Sequence, residues 1–360
     1  MKYDSAVYIN GRKIASDAPA YFIADIAANH DGDLLRAKEL IWLAKEARAD
    51  AVKFQHFKAS GIVSDYGFKS LGKQIGHQAS WGLSVYQIYE KYECNRDWNE
   101  ELVATAKQAG IDFLTTPYDY EAVNMLDRYL PAYKIGSGDV TWIEFIEMIA
   151  RKGKPVMLAT GACDVTDVER AVEAILSHNR QIVLMQCNTN YTGKADNLRY
   201  INLNVLSTYA ARYPGILLGL SDHTPGHATV LGAIALGARV IEKHFTDDNN
   251  RVGPDHPFSM DPANWREMIE CSRQLEAALG DGVKRVERNE QDTVIIQRRC
   301  IRLTRDMYKG DMVARGDLEC LRPAPLNALE PYRLEQVLGK SLNKAKSAGD
   351  VLYATDLQEE

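Results

Sequence analysis

Two histidines lie at the ends of apolar runs that predict neighbouring β-strands. His223 follows the run 216–222, and His244 lies in the run 239–245. Adjacent strands lie about 5 Å apart, so the two imidazoles could share one ion. Two imidazoles with oxygen ligands and no thiolate suit Mn²⁺, with Mg²⁺ or Co²⁺ as alternatives, acting as a Lewis acid. A single histidine would fit a hydrogen-bonded rim residue equally well, but the pair favours a metal.

Two lysines, Lys53 and Lys134, lie near the ends of other apolar runs. A buried lysine needs a counter-charge, which is either a structural carboxylate or a bound anion. Lys134 belongs to the motif KIGSG, where the glycines allow close backbone approach and Ser137 offers a hydroxyl. With Gln55 and Thr116 at nearby strand ends, these groups predict a cradle for a phosphate and a carboxylate.

One carboxylate, Asp25, ends the first apolar run. It could serve as the ion-pair partner of either lysine. Alternatively, it lies beside the metal and handles a proton or orients water. Both interpretations stay open at this point.

These side chains need a scaffold that brings many strand ends together. Eight apolar runs alternate with stretches of helical period, at 21–27, 49–55, 111–117, 132–138, 155–160, 182–187, 216–222 and 239–245. Near-continuous apolar strands separated by helices predict parallel strands covered on both faces, and eight such units predict an α/β (β/α)8 TIM barrel. A doubly wound open sheet is the alternative, but no G-x-G-x-x-G follows the first strand. The polar strand ends would then line the carboxyl-terminal mouth.

Two segments depart from the repeat. Residues 7–14 predict a hairpin around Asn10-Gly11 that plugs the bottom of the barrel. The segment 56–94 is too long for a plain connection and is predicted to fold over the mouth.

The pattern changes after the helix at 262–280. We predict a barrel domain over 1–282, a charged linker over 283–297 and a compact module over 298–360. The two halves of the module echo each other, since each has an apolar run, a K-G-D or A-G-D turn and a later D-L.

Bulk composition narrows the functional classes. The 360 residues are 46% hydrophobic and carry a net charge of −6, which disfavours a nucleic-acid partner. No apolar run reaches about 18 residues and no signal peptide is evident, so we expect no membrane span and a cytoplasmic location. The six scattered cysteines include no CxxC and predict reduced thiols.

The motifs DIAANHDG, VKFQ, TTPYD, PAYKIGSGD, GLSDHT, IEKHFTDD and GPDHPFSMDP together resemble the sialic acid synthases, which include the legionaminic and pseudaminic acid synthases. The tail resembles their antifreeze-like SAF domain. The resemblance implies condensation of phosphoenolpyruvate with an N-acetylmannosamine-like amino hexose, with release of phosphate.

The resemblance also implies roles for single residues. A Mn²⁺-like ion would bind His223 and His244. Phosphoenolpyruvate would face Lys53, Gln55, Thr116, Lys134, Ser137 and Ser221. The sugar or reacting centre would face Asp25, Tyr191 and Asp255. Arg322 would reach the partner subunit's barrel in a domain-swapped homodimer.

The sequence departs from the family pattern at three places. Asp25 replaces a glutamate, Ala159 replaces a serine, and NTNYTG occupies 188–193 in place of a Y-P-T type loop. The last two departures bear on which sugar is used.

Three other functions are weighed against this one. A Schiff-base sialate aldolase needs a lysine on the sixth strand, which here ends MQCNT. Metal-dependent synthases of smaller 3-deoxy sugar acids use a cysteine near the first strand, which DIAANHDG lacks. A non-enzymatic glycan- or ice-binding protein would not need the ionisable groups of the barrel.

Overall fold

The computed structural model describes residues 3–358, with the side chain of Ser80 excepted. The chain divides after Gly280 into two compact units. Within the described residues, no helix combines the length and the apolar character needed to cross a bilayer.

The first unit is an eight-stranded parallel barrel preceded by a hairpin. The hairpin strands are β1 (Ala6–Ile9) and β2 (Arg12–Ala15). The barrel strands are β3 (Tyr21–Asp25), β4 (Ala51–His56), β5 (Asp112–Pro117), β6 (Tyr133–Ile135), β7 (Val156–Ala159), β8 (Ile182–Cys187), β9 (Leu217–Asp222) and β10 (Ala238–His244). Hydrogen bonds join them in the order β5-β4-β3-β10-β9-β8-β7-β6, and β5 packs beside β6. The predicted TIM barrel is therefore confirmed, and the open sheet is wrong.

Helices connect the strands and cover the outside. Those of the first unit are α1 (Leu34–Glu46), α2 (Ala59–Ile62), α3 (Asp65–Ser70), α4 (Val85–Lys91), α5 (Asn99–Ala109), α6 (Tyr120–Leu126), α7 (Ile143–Ala150), α8 (Val165–Leu176), α9 (Val205–Arg212), α10 (Ala228–Ala235) and α11 (Pro262–Leu279). The three longest, α1, α8 and α11, begin at aspartate side-chain caps. Asp33, for example, accepts hydrogen bonds from the first turn of α1.

The alternation of side chains along each strand decides what faces the barrel interior. In β3, Phe22 and Ala24 pack against the helices, whereas Tyr21 and Ile23 belong to the interior cluster. The hairpin residues Val7, Ile9 and Ile14 join that same interior cluster. The prediction that the hairpin plugs the barrel is therefore confirmed. The next inward positions along the strands are the polar residues near their carboxyl ends.

The second unit has its own core. It contains α12 (Gln291–Gln297), β11 (Cys300–Leu303), β12 (Leu318–Leu321) and α13 (Leu334–Val337). Its apolar cluster includes Ile301, Leu318, Leu342 and Leu352. Helix α12 lies inside the segment 283–297, which was predicted to be a charged linker.

The echo between the two halves of the second unit has a structural counterpart. Each half contains a 3₁₀ turn that carries a buried aspartate, Asp317 or Asp356. Arg305 pairs with Asp317 at 2.6 Å, and Lys346 pairs with Asp356. In both halves, therefore, an ion pair between a buried aspartate and a basic side chain stabilises the turn.

Gly219 of β9 faces the crowded interior and gives a test of the barrel packing. A Cβ at this position would lie 2.8 Å from Met185 Cγ and 2.8 Å from the backbone oxygen of Val240. We expect Gly219→Ala to lower the free energy of unfolding by about 1–3 kcal/mol, because neighbouring backbone must move. Urea denaturation measures the change. Gly82→Ala, whose Cβ would meet nothing within 4 Å, is the control and should be near neutral.

Candidate active site

A cavity of about 220 Å³ opens at the carboxyl-terminal end of the barrel. It gathers every predicted site residue of the first unit, because each sits at an inward-facing position or on a rim loop. These lining residues are Asp25, Lys53, Gln55, Thr116, Lys134, Ser137, Tyr191, Ser221, His223, His244 and Asp255. Arg322 belongs to the second unit, where it is exposed just after β12.

Two buried lysines and two buried carboxylates form a compact charge cluster in the cavity. Lys53 Nζ lies 2.7 Å from Asp25 Oδ2 and 3.8 Å from Glu242 Oε1. Lys134 Nζ lies 2.9 Å from the same Glu242 oxygen. Each side chain is at most 5% exposed. Mutual pairing therefore offsets the cost of burying four charges, which is large for any one of them alone.

Two further contacts fix the lysine and the aspartate of this cluster. Lys53 Nζ donates to Thr116 Oγ1 at 3.2 Å, and Gln55 Nε2 donates to Asp25 Oδ2 at 3.0 Å. The carboxylates of Asp25 and Glu242 raise the pKa of Lys53 against the opposing effect of its burial. Lys53 is therefore an ammonium at neutral pH, as an anion cradle requires.

Glu242 is the site residue that the sequence analysis missed. Burial alone would raise its pKa, but Lys134 and Lys53 hold the pKa at about 2. Its Oε1 accepts a hydrogen bond from Ser221 Oγ at 3.2 Å, while its buried Oε2 has no partner among the described residues. The available signal was its position two residues before His244, since that spacing along a strand puts both on one face.

Lys243 lies between Glu242 and His244 in sequence, and its side chain points to the outside of the barrel. Its Nζ pairs with Asp222 Oδ2 at 2.5 Å outside the barrel interior, where Thr229 also donates to Asp222. Asp222 and Lys243 therefore stabilise the carboxyl-terminal ends of β9 and β10 from outside the barrel, and they do not line the cavity.

The two histidines face each other, with ring centroids 5.2 Å apart. His223 Nδ1 donates to the Asn188 carbonyl oxygen at 2.9 Å, which leaves the Nε2 lone pair free for a ligand. His244 Nδ1 is buried and has no hydrogen-bond partner among the described residues. Burial lowers the pKa of each histidine to about 3. Both are therefore neutral at pH 7, the form that coordinates metals.

Carboxylates complete a donor set around the histidine pair. Asp25 Oδ2 lies 3.6 Å from His244 Nε2, and Asp255 Oδ2 lies 3.8 Å from His244 Nδ1. Burial raises the pKa of Asp255 to about 7. Two neutral imidazoles with oxygen donors, around an unsatisfied buried ring nitrogen, fit a divalent cation of the Mn²⁺ class.

Aromatic rings enclose the histidine pair. The Tyr191 ring lies 4.2 Å from that of His223, and the Phe258 ring lies 4.9 Å from that of His244, measured between centroids. His77 packs edge-on against Tyr191 at 5.0 Å. Apolar walls exclude water and strengthen electrostatic interactions in the cavity.

The segment 56–94 supplies much of that wall. Its cavity-lining side chains are Phe57, Ile62, His77, Trp81, Ile88, Tyr89 and Tyr92. The prediction that this insertion folds over the mouth is therefore confirmed.

A buried polar network fixes the loop that carries Asp255. His256 bonds Thr246 Oγ1 at 2.7 Å through Nδ1 and Asp31 Oδ1 at 3.0 Å through Nε2. Asp255 Oδ2 accepts from the Ala28 amide at 3.1 Å. The loop after β10 is thus fastened to the loop after β3, and the two carboxylates beside His244 are held in place.

A double-mutant cycle tests whether Glu242 is the counter-charge of the lysines. Glu242→Gln should lower the free energy of unfolding by about 3–5 kcal/mol, because it leaves buried ammonium groups short of a partner. Adding Lys134→Met should recover part of that loss. The measurement is urea denaturation of both single variants and of the double variant.

The exposed pair Arg151–Glu147, at 2.6 Å, provides the matched control. Glu147→Gln should cost less than about 1 kcal/mol. Additive losses in the Glu242/Lys134 cycle would contradict the pairing.

Comparisons with known proteins show the family of this chain. The NeuB family model matches residues 40–284, and the SAF domain model matches residues 298–358. The chain is 36% identical to the N,N'-diacetyllegionaminic acid synthase of Campylobacter jejuni, covering 89% of this chain and 95% of that protein. It is 32% identical to human N-acetylneuraminate-9-phosphate synthase, covering 77% and 76%.

A solved structure gives the same result. The crystal structure of the N-acetylneuraminic acid synthetase from Leptospira borgpetersenii in complex with citrate superposes with a TM-score of 0.70 at 26% identity. The alignment covers 81% of this chain and 96% of that one. The chain thus has relatives named as synthases of sialic-type acids, and it belongs to the NeuB family, with a SAF domain at its carboxyl-terminal end.

Proposed function

We propose that this chain is a nonulosonic acid synthase that joins phosphoenolpyruvate to an N-acetylmannosamine-like amino hexose and releases phosphate. The observation that carries the proposal is that one cavity holds both a neutral histidine pair and two buried lysines that are ion-paired with carboxylates. The histidines suit a metal that activates a carbonyl, and the lysines suit an anionic co-substrate.

Phosphoenolpyruvate would occupy the lysine side of the cavity. Lys53 and Lys134 provide positive charge, and the hydroxyls of Thr116, Ser137 and Ser221 provide donors to its oxygens. Glu242 and Asp25 hold the ammonium groups in position before the anion arrives, so binding requires little rearrangement.

The sugar would occupy the histidine side, next to Asp25, Asp255 and Tyr191. His223 and His244 would hold a divalent ion, Mn²⁺ by preference and Mg²⁺ or Co²⁺ as alternatives. When bound, this ion supplies Lewis acidity toward the aldehyde oxygen of the open-chain sugar.

The reaction balances without a redox partner. A bond forms between C3 of phosphoenolpyruvate and the aldehyde carbon, and a water adds to C2. The C2–O bond to phosphate then breaks as the C2 hydroxyl becomes the ketone. One proton of the water ends on the new hydroxyl, and the other leaves with the phosphate. Glu242 Oε2, buried with no partner among the described residues, is available to accept a hydrogen bond from that water. Asp25, oriented by Gln55, lies on the sugar side of the cavity, where it can handle the proton that reaches the new hydroxyl.

The Schiff-base alternative is disfavoured by the state of the lysines. A nucleophilic lysine must be a neutral amine. Lys53 and Lys134 instead contact carboxylates at 2.7 and 2.9 Å. The inward positions of β8 carry Val183, Met185 and Cys187, so that strand offers no lysine.

The SAF domain would complete the site in a homodimer. Arg322, exposed in the second unit, has a fork of five donors that suits sugar hydroxyl or acetamido oxygens. We place this arginine in the mouth of the partner subunit's barrel. Six free cysteines accord with assembly in the reducing cytoplasm.

The central experiment measures phosphate release from phosphoenolpyruvate with a panel of amino hexoses, including N-acetylmannosamine and 2,4-diacetamido-6-deoxy hexoses. Removal of metal by a chelator should abolish turnover, and Mn²⁺ should restore it. His223→Ala should lower kcat/KM by at least about 100-fold, because one of the two imidazole ligands is lost. Full turnover by metal-free enzyme, or none with any sugar in Mn²⁺, would contradict the proposal.

Mixing two inactive variants tests the role of Arg322. Arg322→Ala leaves the barrel intact, and His244→Ala leaves the arginine intact. After subunit exchange, one site of each mixed dimer would combine an intact barrel with an intact arginine, so phosphate release should reappear. Exchange confirmed by differently tagged subunits, without return of activity, would show that Arg322 does not act across subunits.

A further inference from the structure

A second group of metal-ligating side chains lies outside the barrel mouth. His227 precedes α10, while Glu267 and Cys271 lie four residues apart on α11. The geometry points to a peripheral binding site for a thiophilic divalent cation of the Zn²⁺ class, formed by one atom from each of these three residues. This site is independent of the proposed synthase reaction.

The distances permit a single ion. One imidazole nitrogen, one carboxylate oxygen and the Cys271 sulfur all lie within 4.8 Å of one another. Zn²⁺ bonds of about 2.0–2.3 Å in tetrahedral geometry place one sulfur and two nitrogen or oxygen ligand atoms about 3.3–3.5 Å apart. A contraction of at most about 1.5 Å therefore closes the site. Glu267 is exposed and His227 is half-buried, so side-chain rotation alone can provide this movement.

No competing interaction occupies these side chains. Among the described residues, the side chains of His227, Glu267 and Cys271 have no hydrogen bond or ion pair, although the neighbouring Glu270 pairs with Arg48 at 3.2 Å. The helical spacing of four residues puts Glu267 and Cys271 on one face of α11, and α11 packs against α10. Three potential ligands thus converge with all their bonding capacity free.

The ligand types separate this site from the mouth. A thiolate selects Zn²⁺ and similar ions, whereas the imidazoles and carboxylates around His223 and His244 also accept Mn²⁺ or Mg²⁺. When the ion binds, the Cys271 thiol releases its proton to solvent and the sulfur–metal bond forms. Water completes the fourth position.

Binding of the ion would restrain the loop between β9 and α10. The loop between β9 and α10 begins at His223 and ends four residues later at His227. Its start lies in the cavity, and its end would be fixed to α11 through the ion. The site therefore acts as a stabilising clamp behind the loop that carries one of the two mouth histidines.

Cobalt absorption tests the proposal on the full-length chain. After metal removal under reducing conditions, one equivalent of Co²⁺ should produce the thiolate-to-cobalt charge-transfer band in the near ultraviolet. The band should persist in His223→Ala and in Cys187→Ser, which removes the thiol that lines the mouth. It should disappear in Cys271→Ser. Zn²⁺ should raise the melting temperature of the wild type and leave that of Cys271→Ser unchanged.

Two controls keep the outcome decisive. Glu267→Gln changes an exposed residue and should weaken Zn²⁺ binding at least about 10-fold even if Cys271→Ser folds poorly. Cys271→Ser should also keep phosphate release in saturating Mn²⁺, which separates this site from the proposed activity. The proposal is overturned if the wild type gives no charge-transfer band, or if the band is lost in Cys187→Ser and kept in Cys271→Ser.

Discussion

The pairing of Lys53 and Lys134 with Asp25 and Glu242 is the constraint on which the mouth of the barrel depends. These four charges come from four strands and are almost completely removed from solvent. None could be buried alone, since an isolated ion in a low-dielectric interior costs several kcal/mol. The strands must therefore close in one register, with all four side chains pointing inward. The alternation of side chains along the strands buries Tyr21 and Ile23 in the barrel interior. The same alternation points the charged residues inward at the carboxyl-terminal mouth.

The histidine pair depends on the same low-dielectric surroundings in a different way. His223 and His244 are neutral because burial disfavours the imidazolium form, and Lys53 adds to this effect at His244. Lone pairs are thus available without competition from protons. Tyr191 and Phe258 keep water away from both rings. A cavity with buried, ion-paired lysines on one side and unprotonated imidazoles on the other can hold an anion and a Lewis acid together, which neither group could do alone.

The loops that surround this cavity are held by polar networks that do not line it. His256, bonded to Thr246 and Asp31, fixes the segment with Asp255. The pair of Asp222 and Lys243 supports the strand ends from outside the barrel. These contacts are buried and satisfied, so they fix a single arrangement of the side chains that face the cavity. Precise placement at the mouth therefore rests on residues one position away from it in sequence.

Much of the fold and of the candidate site could be predicted from the sequence, because the hydrophobic periodicity and the positions of the polar residues indicate the same architecture. Eight apolar runs with polar ends predicted the barrel and placed Asp25, Lys53, Lys134, His223 and His244 at one end of it. The hairpin and the covering insertion also followed, since turn chemistry and segment length are local properties. Eight parallel strands with two apolar faces bury both by closing into a barrel that helices cover on the outside. For this reason the fold could be predicted from the sequence.

The tertiary structure decided which partner each charged residue has. EKH reads as three consecutive polar residues, yet the closed register turns Glu242 and His244 inward and Lys243 outward to Asp222. Only that register makes Glu242 the common counter-charge of two lysines from β4 and β6. Contacts between residues more than 100 positions apart have no local signature, because they depend on how the strands close around the barrel. The sequence by itself determined the set of reactive groups, and the closure of the sheet determined which of them act together.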